Sequence, residues 1–112
     1  MITGIFGAPV SYELDDLTGN AYLKLKDICE AIPVGWEGQY DKVRKDKHGR
    51  YWVSMQTFTA NDGKKYRSVA IPAHHLMNFL DDINLNKLTS EQAHRLDRLK
   101  LKLRNQDITS ML

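Results

Sequence analysis

The chain has 112 residues, of which 42% are apolar and 27% charged, values typical of one soluble globular domain with a modest core. No apolar run approaches the roughly 20 residues that a membrane-spanning helix needs, and the N-terminus lacks the pattern of a secretory signal. The net charge of +2 is low for a dedicated DNA-binding domain. The length predicts one domain over residues 1–112. A single cysteine excludes an internal disulfide, and we therefore expect the protein in the cytoplasm, which is reducing.

The first elements in chain order are a β-hairpin and a pair of short helices. Residues 10–14 and 21–23 have the composition of strands, and Gly19 between them tolerates the positive φ of a tight turn. From about residue 25 to residue 45, apolar side chains recur at three- and four-residue spacing, with one break at a proline and a glycine. Two short helices joined by such a break predict a helix-turn-helix-like pair.

A second hairpin follows a polar loop at residues 46–50. Residues 51–60 are rich in aromatic and β-branched side chains, and residues 66–71 return as the partner strand. Asn61-Asp62-Gly63 between them is a strong hairpin signal. Beyond this hairpin, Leu76, Leu80 and Ile83 form the apolar stripe of a middle helix.

The last predicted element is a long amphipathic helix over about residues 90–105. Thr89 and Gln92 have the spacing of a capping box, which fixes where this helix begins. The sequence therefore predicts an α+β fold in which two small antiparallel β-hairpins pack with the helix-turn-helix-like pair, the middle helix and the long C-terminal helix. The predicted core consists of Leu25, Ile28, Cys29, Ile32, Val69, Ile71, Leu76 and Leu80.

Residues that could carry catalysis or bind a metal are few. Cys29 lies on the apolar face of a predicted helix, where cysteines are usually inert packing residues. His74 and His75 are adjacent, so they should point to different sides of a helix rather than form a chelating pair. The glycines are scattered at turns, and none forms a phosphate-binding loop. We therefore predict no enzyme, no metal site and no cofactor.

Three groups of residues have more than one interpretation. The aromatic residues Trp36, Tyr40, Tyr51 and Trp52 either fill the core or anchor a protein–protein interface. Basic residues of the second helix either are solvated or contact DNA in a major groove. The leucines of the C-terminal helix either pack on their own domain or mediate self-association, with nucleic-acid binding by its basic residues as a weaker third reading. These leucines are Leu96, Leu99, Leu101 and Leu103.

Several motifs together resemble one known family. Ile28-Cys29-Glu30-Ala31 is followed by a tryptophan and a glutamine at Trp36-x-x-Gln39. Farther on, Val69-Ala70-Ile71-Pro72 follows the second hairpin turn, and Ile83-Asn84-x-Asn86-Lys87 follows the middle helix. In order and spacing these segments, with Ile5-Phe6-Gly7 near the start, resemble the N-terminal domain of phage antirepressor proteins.

The resemblance implies a phage or prophage antirepressor that binds a phage repressor protein in the bacterial cytoplasm. Such a protein prevents the repressor from holding operator DNA and thereby promotes lytic induction. We expect a homo-oligomer, a dimer or a tetramer, that associates through the four leucines named above. A helix-turn-helix-like DNA-binding regulator is the alternative function. The expected repressor-binding residues are Trp36, Gln39, Tyr40, Arg44, Tyr51 and Trp52.

Overall fold

The computed structural model describes residues 6–45, 49, 51–60 and 62–105. Within these residues, four strands form one antiparallel sheet in the order β1-β2-β4-β3. The strands are β1 (Tyr12–Leu14), β2 (Ala21–Lys24), β3 (Ser54–Thr59) and β4 (Lys65–Pro72). The helices are α1 (Leu25–Ala31), α2 (Trp36–Arg44), α3 (Leu76–Asp81) and α4 (Ser90–Asn105), with 3-10 turns at Ala73–His75 and Leu85–Lys87. The predicted α+β class is therefore confirmed.

The two predicted hairpins are joined into this single sheet. Tyr12 of β1 lies opposite Leu23 of β2, and Phe58 of β3 lies opposite Tyr66 of β4. Leu23 is also paired with Ile71, which connects the two hairpins through β2 and β4. Four paired strands bury one face more effectively than an isolated hairpin, which is marginally stable in water.

The first strand is shorter than predicted. It begins at Tyr12 rather than Val10, although the Lys24 N–H of β2 still donates to the Ser11 carbonyl at 2.9 Å. The Ser11 N–H donates to the Asp27 carboxylate at 2.9 Å, and this bond connects the start of the sheet to α1. The turn that follows β1 is as expected, with Gly19 at a φ of 73°.

The core lies between the sheet and the helices. Leu23 and Ile71 from the sheet, Ile28 from α1 and Leu96 from α4 are all fully buried in one cluster. The predicted core residues are buried with one exception, since Val69 is only half-buried. The buried ones are Leu25, Ile28, Cys29, Ile32, Ile71, Leu76 and Leu80.

The predicted capping box is present at the start of α4. The Thr89 backbone N–H donates to Oε1 of Gln92 at 2.8 Å, and the Gln92 N–H donates to Oγ1 of Thr89 at 3.2 Å. The Gln92 side-chain amide also donates to the Pro33 carbonyl at 2.6 Å, which connects α4 to the break between α1 and α2. An ion pair of 3.2 Å between Lys100 and Asp81 connects α4 to α3.

Some predicted segments lie outside the described residues. These are Ile5 of the motif near the start, residues 46–48 and Arg50 of the polar loop, and Asn61 of the second turn.

Burial of Cys29 leads to a prediction about its reactivity. Burial raises the pKa of the Cys29 thiol to about 12, and Lys42 opposes this increase only in part. Because the thiolate is the reactive form, we expect a bulky thiol reagent at pH 8 to label the native protein far more slowly than the urea-unfolded chain. Mass spectrometry of timed samples measures both rates. Equal labelling rates in the two states would contradict the buried position.

Candidate functional site

Trp52 is the most exposed aromatic side chain of the described residues, with 68% of its surface accessible. Its φ of 54° is the only positive φ at a non-glycine residue in the described part of the chain. Such a left-handed conformation costs a residue with a Cβ roughly 1–2 kcal/mol. It also interrupts the extended backbone, so β3 begins at Ser54 rather than at the predicted residue 51. The chain therefore maintains a strained conformation that exposes an indole to solvent.

The Trp52 ring stacks on His75, with the ring centroids 5.9 Å apart and the planes at 17°. His74 and His75 do not point to different sides of a helix as predicted, because they lie in a 3-10 turn with their rings 4.2 Å apart. Burial lowers the pKa of His75, and the neighbouring His74 lowers it further. Both effects favour the neutral form of the stacked imidazole. The described residues contain no group of three or more side chains able to hold a metal ion.

Trp52 borders an open groove of about 730 Å³, which we call the Trp52 groove. Its wall combines residues from the first hairpin, α2, the segment leading into β3, the end of β4 and the 3-10 turn that follows. The apolar part of the wall consists of Tyr22, Val43, Trp52, Val53 and Pro72, and the rest of Asn20, Gly49, Ser54, His74 and His75. The wall contains no carboxylate, lysine or arginine. The groove is thus suited to a largely apolar surface of a partner.

The predicted aromatic residues of α2 lie next to one another along the helix. Trp36 and Tyr40 have ring centroids 5.5 Å apart, and the Arg44 guanidinium lies 5.7 Å from the centre of the Tyr40 ring. Tyr40 is 38% exposed, whereas Trp36 is half-buried. Val43 of the groove wall lies one turn after Tyr40, on the same side of the helix. Val43 is thus the residue by which α2 contributes to the groove wall, and Trp36, Tyr40 and Arg44 are not part of that wall.

Tyr51 does not have the exposed position expected of a contact residue. Its side chain is 1% exposed, and its ring meets the edge of Phe79 at 5.7 Å. Its hydroxyl donates to the Asp82 carboxylate at 2.5 Å. Tyr51 therefore anchors the backbone immediately before Trp52 from inside the protein. Gln39 is half-buried, and its Oε1 has no hydrogen-bond donor among the described residues.

The basic residues at the end of α2 lie in different environments. The Lys42 ammonium lies 4.4 Å from the centre of the Phe79 ring, on the inner side of the helix. Arg44 forms an ion pair of 3.0 Å with Asp41, but both side chains are more than half exposed, so this pair is weak. Lys45 is exposed and forms no ion pair with a described residue. Two exposed cations beside the exposed carboxylates of Glu37 and Asp41 offer little net positive charge to a DNA backbone.

The four leucines of α4 are in different environments. Leu96 and Leu99 are buried in the core of their own chain, on the side of α4 that packs against α3 and the end of α1. Leu103 is half-buried against that core. Leu101 lies off the buried stripe and is 58% exposed. Of the residues expected to mediate self-association, Leu101 is thus the one with substantial free surface.

Sequence reasoning missed several residues of the groove wall. Tyr22 is far in sequence from Pro72 and the two histidines. It becomes their neighbour only because β2 pairs with β4. One local feature of the sequence could have indicated this part of the groove wall: Pro72 ends a strand, and two adjacent histidines begin two residues later. The positive φ of Trp52 had no signal, since left-handed positions are usually marked by glycine or asparagine.

Among the described residues, no helix is long and apolar enough to cross a membrane. No curated protein and no solved structure matches the chain. The model of one family, the P22_AR N-terminal domain, matches residues 10–104. This match covers all four strands and nearly all of α4. The family is regulatory rather than catalytic, and it supports a role as a phage antirepressor. The chain belongs to the P22_AR N-terminal domain family, the N-terminal domain of phage antirepressors.

Proposed function

We propose that this chain binds a phage repressor protein and prevents it from holding operator DNA, which promotes lytic induction in the bacterial cytoplasm. The binding surface is the Trp52 groove together with the exposed edge of α2. Family membership supports the regulatory role, and the exposed Trp52 beside a groove whose wall contains no carboxylate, lysine or arginine is the observation that supports this surface. Binding is non-covalent and requires no cofactor.

The structure supports Trp52 as the central contact for two reasons. An exposed indole on a strained backbone lowers stability, so its retention is best explained by a gain in binding. Tryptophan, tyrosine and arginine are also the residue types most often found at the energetic centre of interfaces. Trp52 supplies the first of these types in the groove wall. Tyr40 and Arg44 supply the other two on α2, the helix that contributes Val43 to the same wall.

The required affinity constrains the mechanism. A repressor holds its operator with a dissociation constant of about 10⁻⁸ to 10⁻¹¹ M, so an antirepressor must compete at that level. A groove that encloses part of the repressor can provide such affinity. Binding then releases the operator if the bound antirepressor covers or distorts the DNA-binding surface of the repressor. Two linked copies would raise the effective affinity further.

We therefore also propose that the protein is a homo-oligomer, either a dimer or a tetramer. The helix α4 is the element that contributes to this assembly. Its exposed side offers two features: Leu101, and a row of basic residues beside the end of α1. Symmetric dimers are the commonest way in which proteins cover such surfaces.

A binding experiment separates the proposed function from direct DNA binding. We expect the purified protein to co-elute with a cognate phage repressor in size-exclusion chromatography. We also expect no shift of operator DNA by the protein alone at physiological salt. A DNA-binding regulator would instead shift the operator by itself, with an affinity that falls steeply as salt rises. That result would overturn the proposal.

A further inference from the structure

A second groove lies between the end of α1 and one side of α4, and we call it the basic groove. It has a volume of about 350 Å³, and it shares no residue with the Trp52 groove. Its floor is apolar and includes Ala31, Ile32 and Leu99. Its rim carries three cations on successive turns of α4, namely Arg95, Arg98 and Lys102, against the single carboxylate of Glu30.

The cations of this rim are only partly neutralised. Arg95 lies 3.4 Å from Glu91, in an ion pair that is exposed to solvent and therefore weak. Arg98 and Lys102 are exposed and form no ion pair with any described residue. An apolar floor below a positive rim fits a segment that carries carboxylates beside an apolar side chain.

The tip of the first hairpin of this chain is a segment in which carboxylates lie beside an apolar side chain. Leu17 is 96% exposed, and Asp15 and Asp16 precede it directly. The turn is held in place by hydrogen bonds, since the Leu17 N–H donates to the Asp15 carboxylate at 3.0 Å and the Gly19 N–H donates to the Asp15 carbonyl at 2.7 Å. An apolar side chain fixed in this position requires little further ordering when it binds.

We propose that the hairpin tip of one copy binds in the basic groove of a second copy. Leu17 contacts the apolar floor, and Asp16 lies among the rim cations. The near-complete exposure of Leu17 shows that the tip does not occupy the groove of its own chain. Because every chain carries both a tip and a groove, a two-fold arrangement forms two equivalent contacts and closes into a dimer. This inference rests on the proposed self-association.

Sedimentation equilibrium of the unmodified protein and of single variants tests the proposal. We expect a dimer at tens of micromolar. We expect Leu17→Ser, Asp16→Lys and Arg98→Glu each to raise the dimer dissociation constant at least tenfold. The double variant Asp16→Lys/Arg98→Glu restores opposite charges and should recover at least part of the loss, as a double-mutant cycle detects. All three residues are exposed, so circular dichroism should show unchanged folding.

Two further variants of α4 separate this contact from other modes of self-association. Arg104→Glu reverses an exposed charge outside the groove and is the matched control, which should leave the dimer unchanged. Leu101→Ser removes an exposed leucine outside the groove and tests the other exposed feature of α4. A dimer that dissociates with Leu101→Ser and resists Leu17→Ser would keep the proposed self-association but overturn the contact between tip and groove. A monomer for the unmodified protein would overturn both. Binding of a labelled DNA duplex at 150 mM salt that Arg98→Glu abolishes would assign the groove to phosphate and overturn the proposal.

Discussion

Replacing Leu99 with Asp should unfold the domain rather than yield a folded monomer. Leu99 is 6% exposed, and it packs in the cluster that includes Leu96 and the sheet. Loss of a buried leucine costs about 2–5 kcal/mol, and a buried unpaired carboxylate adds to that cost. Small domains have about 5–15 kcal/mol of unfolding free energy in total. We therefore expect a loss of about 4 kcal/mol or more, measured by urea denaturation followed by tryptophan fluorescence.

The matched control for this change lies on the same helix. Leu101 is 58% exposed, so Leu101→Asp should alter the unfolding free energy by less than about 0.5 kcal/mol. A Leu99→Asp protein as stable as the unmodified one would contradict the packing described for α4.

The second large effect concerns binding. Replacing Trp52 with Gly removes the exposed indole and at the same time relieves the left-handed backbone, which glycine adopts freely. We expect affinity for the cognate repressor to fall by at least about 30-fold, the loss typical of an interface anchor. We also expect stability to be maintained or increased. Isothermal titration calorimetry gives the affinity, and thermal unfolding gives the stability.

Tyr66→Ala is the control for this variant. Tyr66 is also a largely exposed aromatic residue, at 48%, but it lies outside the Trp52 groove. Its replacement should leave repressor affinity within about twofold of the unmodified protein, since most residues outside an interface centre contribute little. Equal losses for the two variants would show that Trp52 is not the specific anchor.

The fold was largely predictable because its signals are local. The capping box at Thr89, the glycine at the first turn and the apolar faces of the helices each depend on a few neighbouring residues. The joining of the two hairpins was not predicted, since pairing of Leu23 with Ile71 links residues far apart in sequence. No local pattern encodes such a pairing.

The candidate site was predictable only in part, for the same physical reason. Trp36, Tyr40 and Trp52 were identified as candidates from their residue types. The structure places Trp52 in the wall of the groove, and Trp36 and Tyr40 next to one another on α2. Tyr51 has the same type as Tyr40 but the opposite environment, because its ring packs against Phe79 and its hydroxyl donates to Asp82 inside the protein. Residue type alone does not report which aromatic side chain is buried.

Displacement of a repressor from its operator tests the central proposal most directly. Fluorescence anisotropy of labelled operator DNA, held by the cognate repressor, is followed as the purified protein is added. The proposal predicts that anisotropy falls to the value of free DNA near stoichiometric addition, that the repressor stays intact on a gel, and that the Trp52→Gly protein needs a much higher concentration. An anisotropy that stays high, rises through direct DNA binding, or falls only as the repressor is cleaved would contradict it.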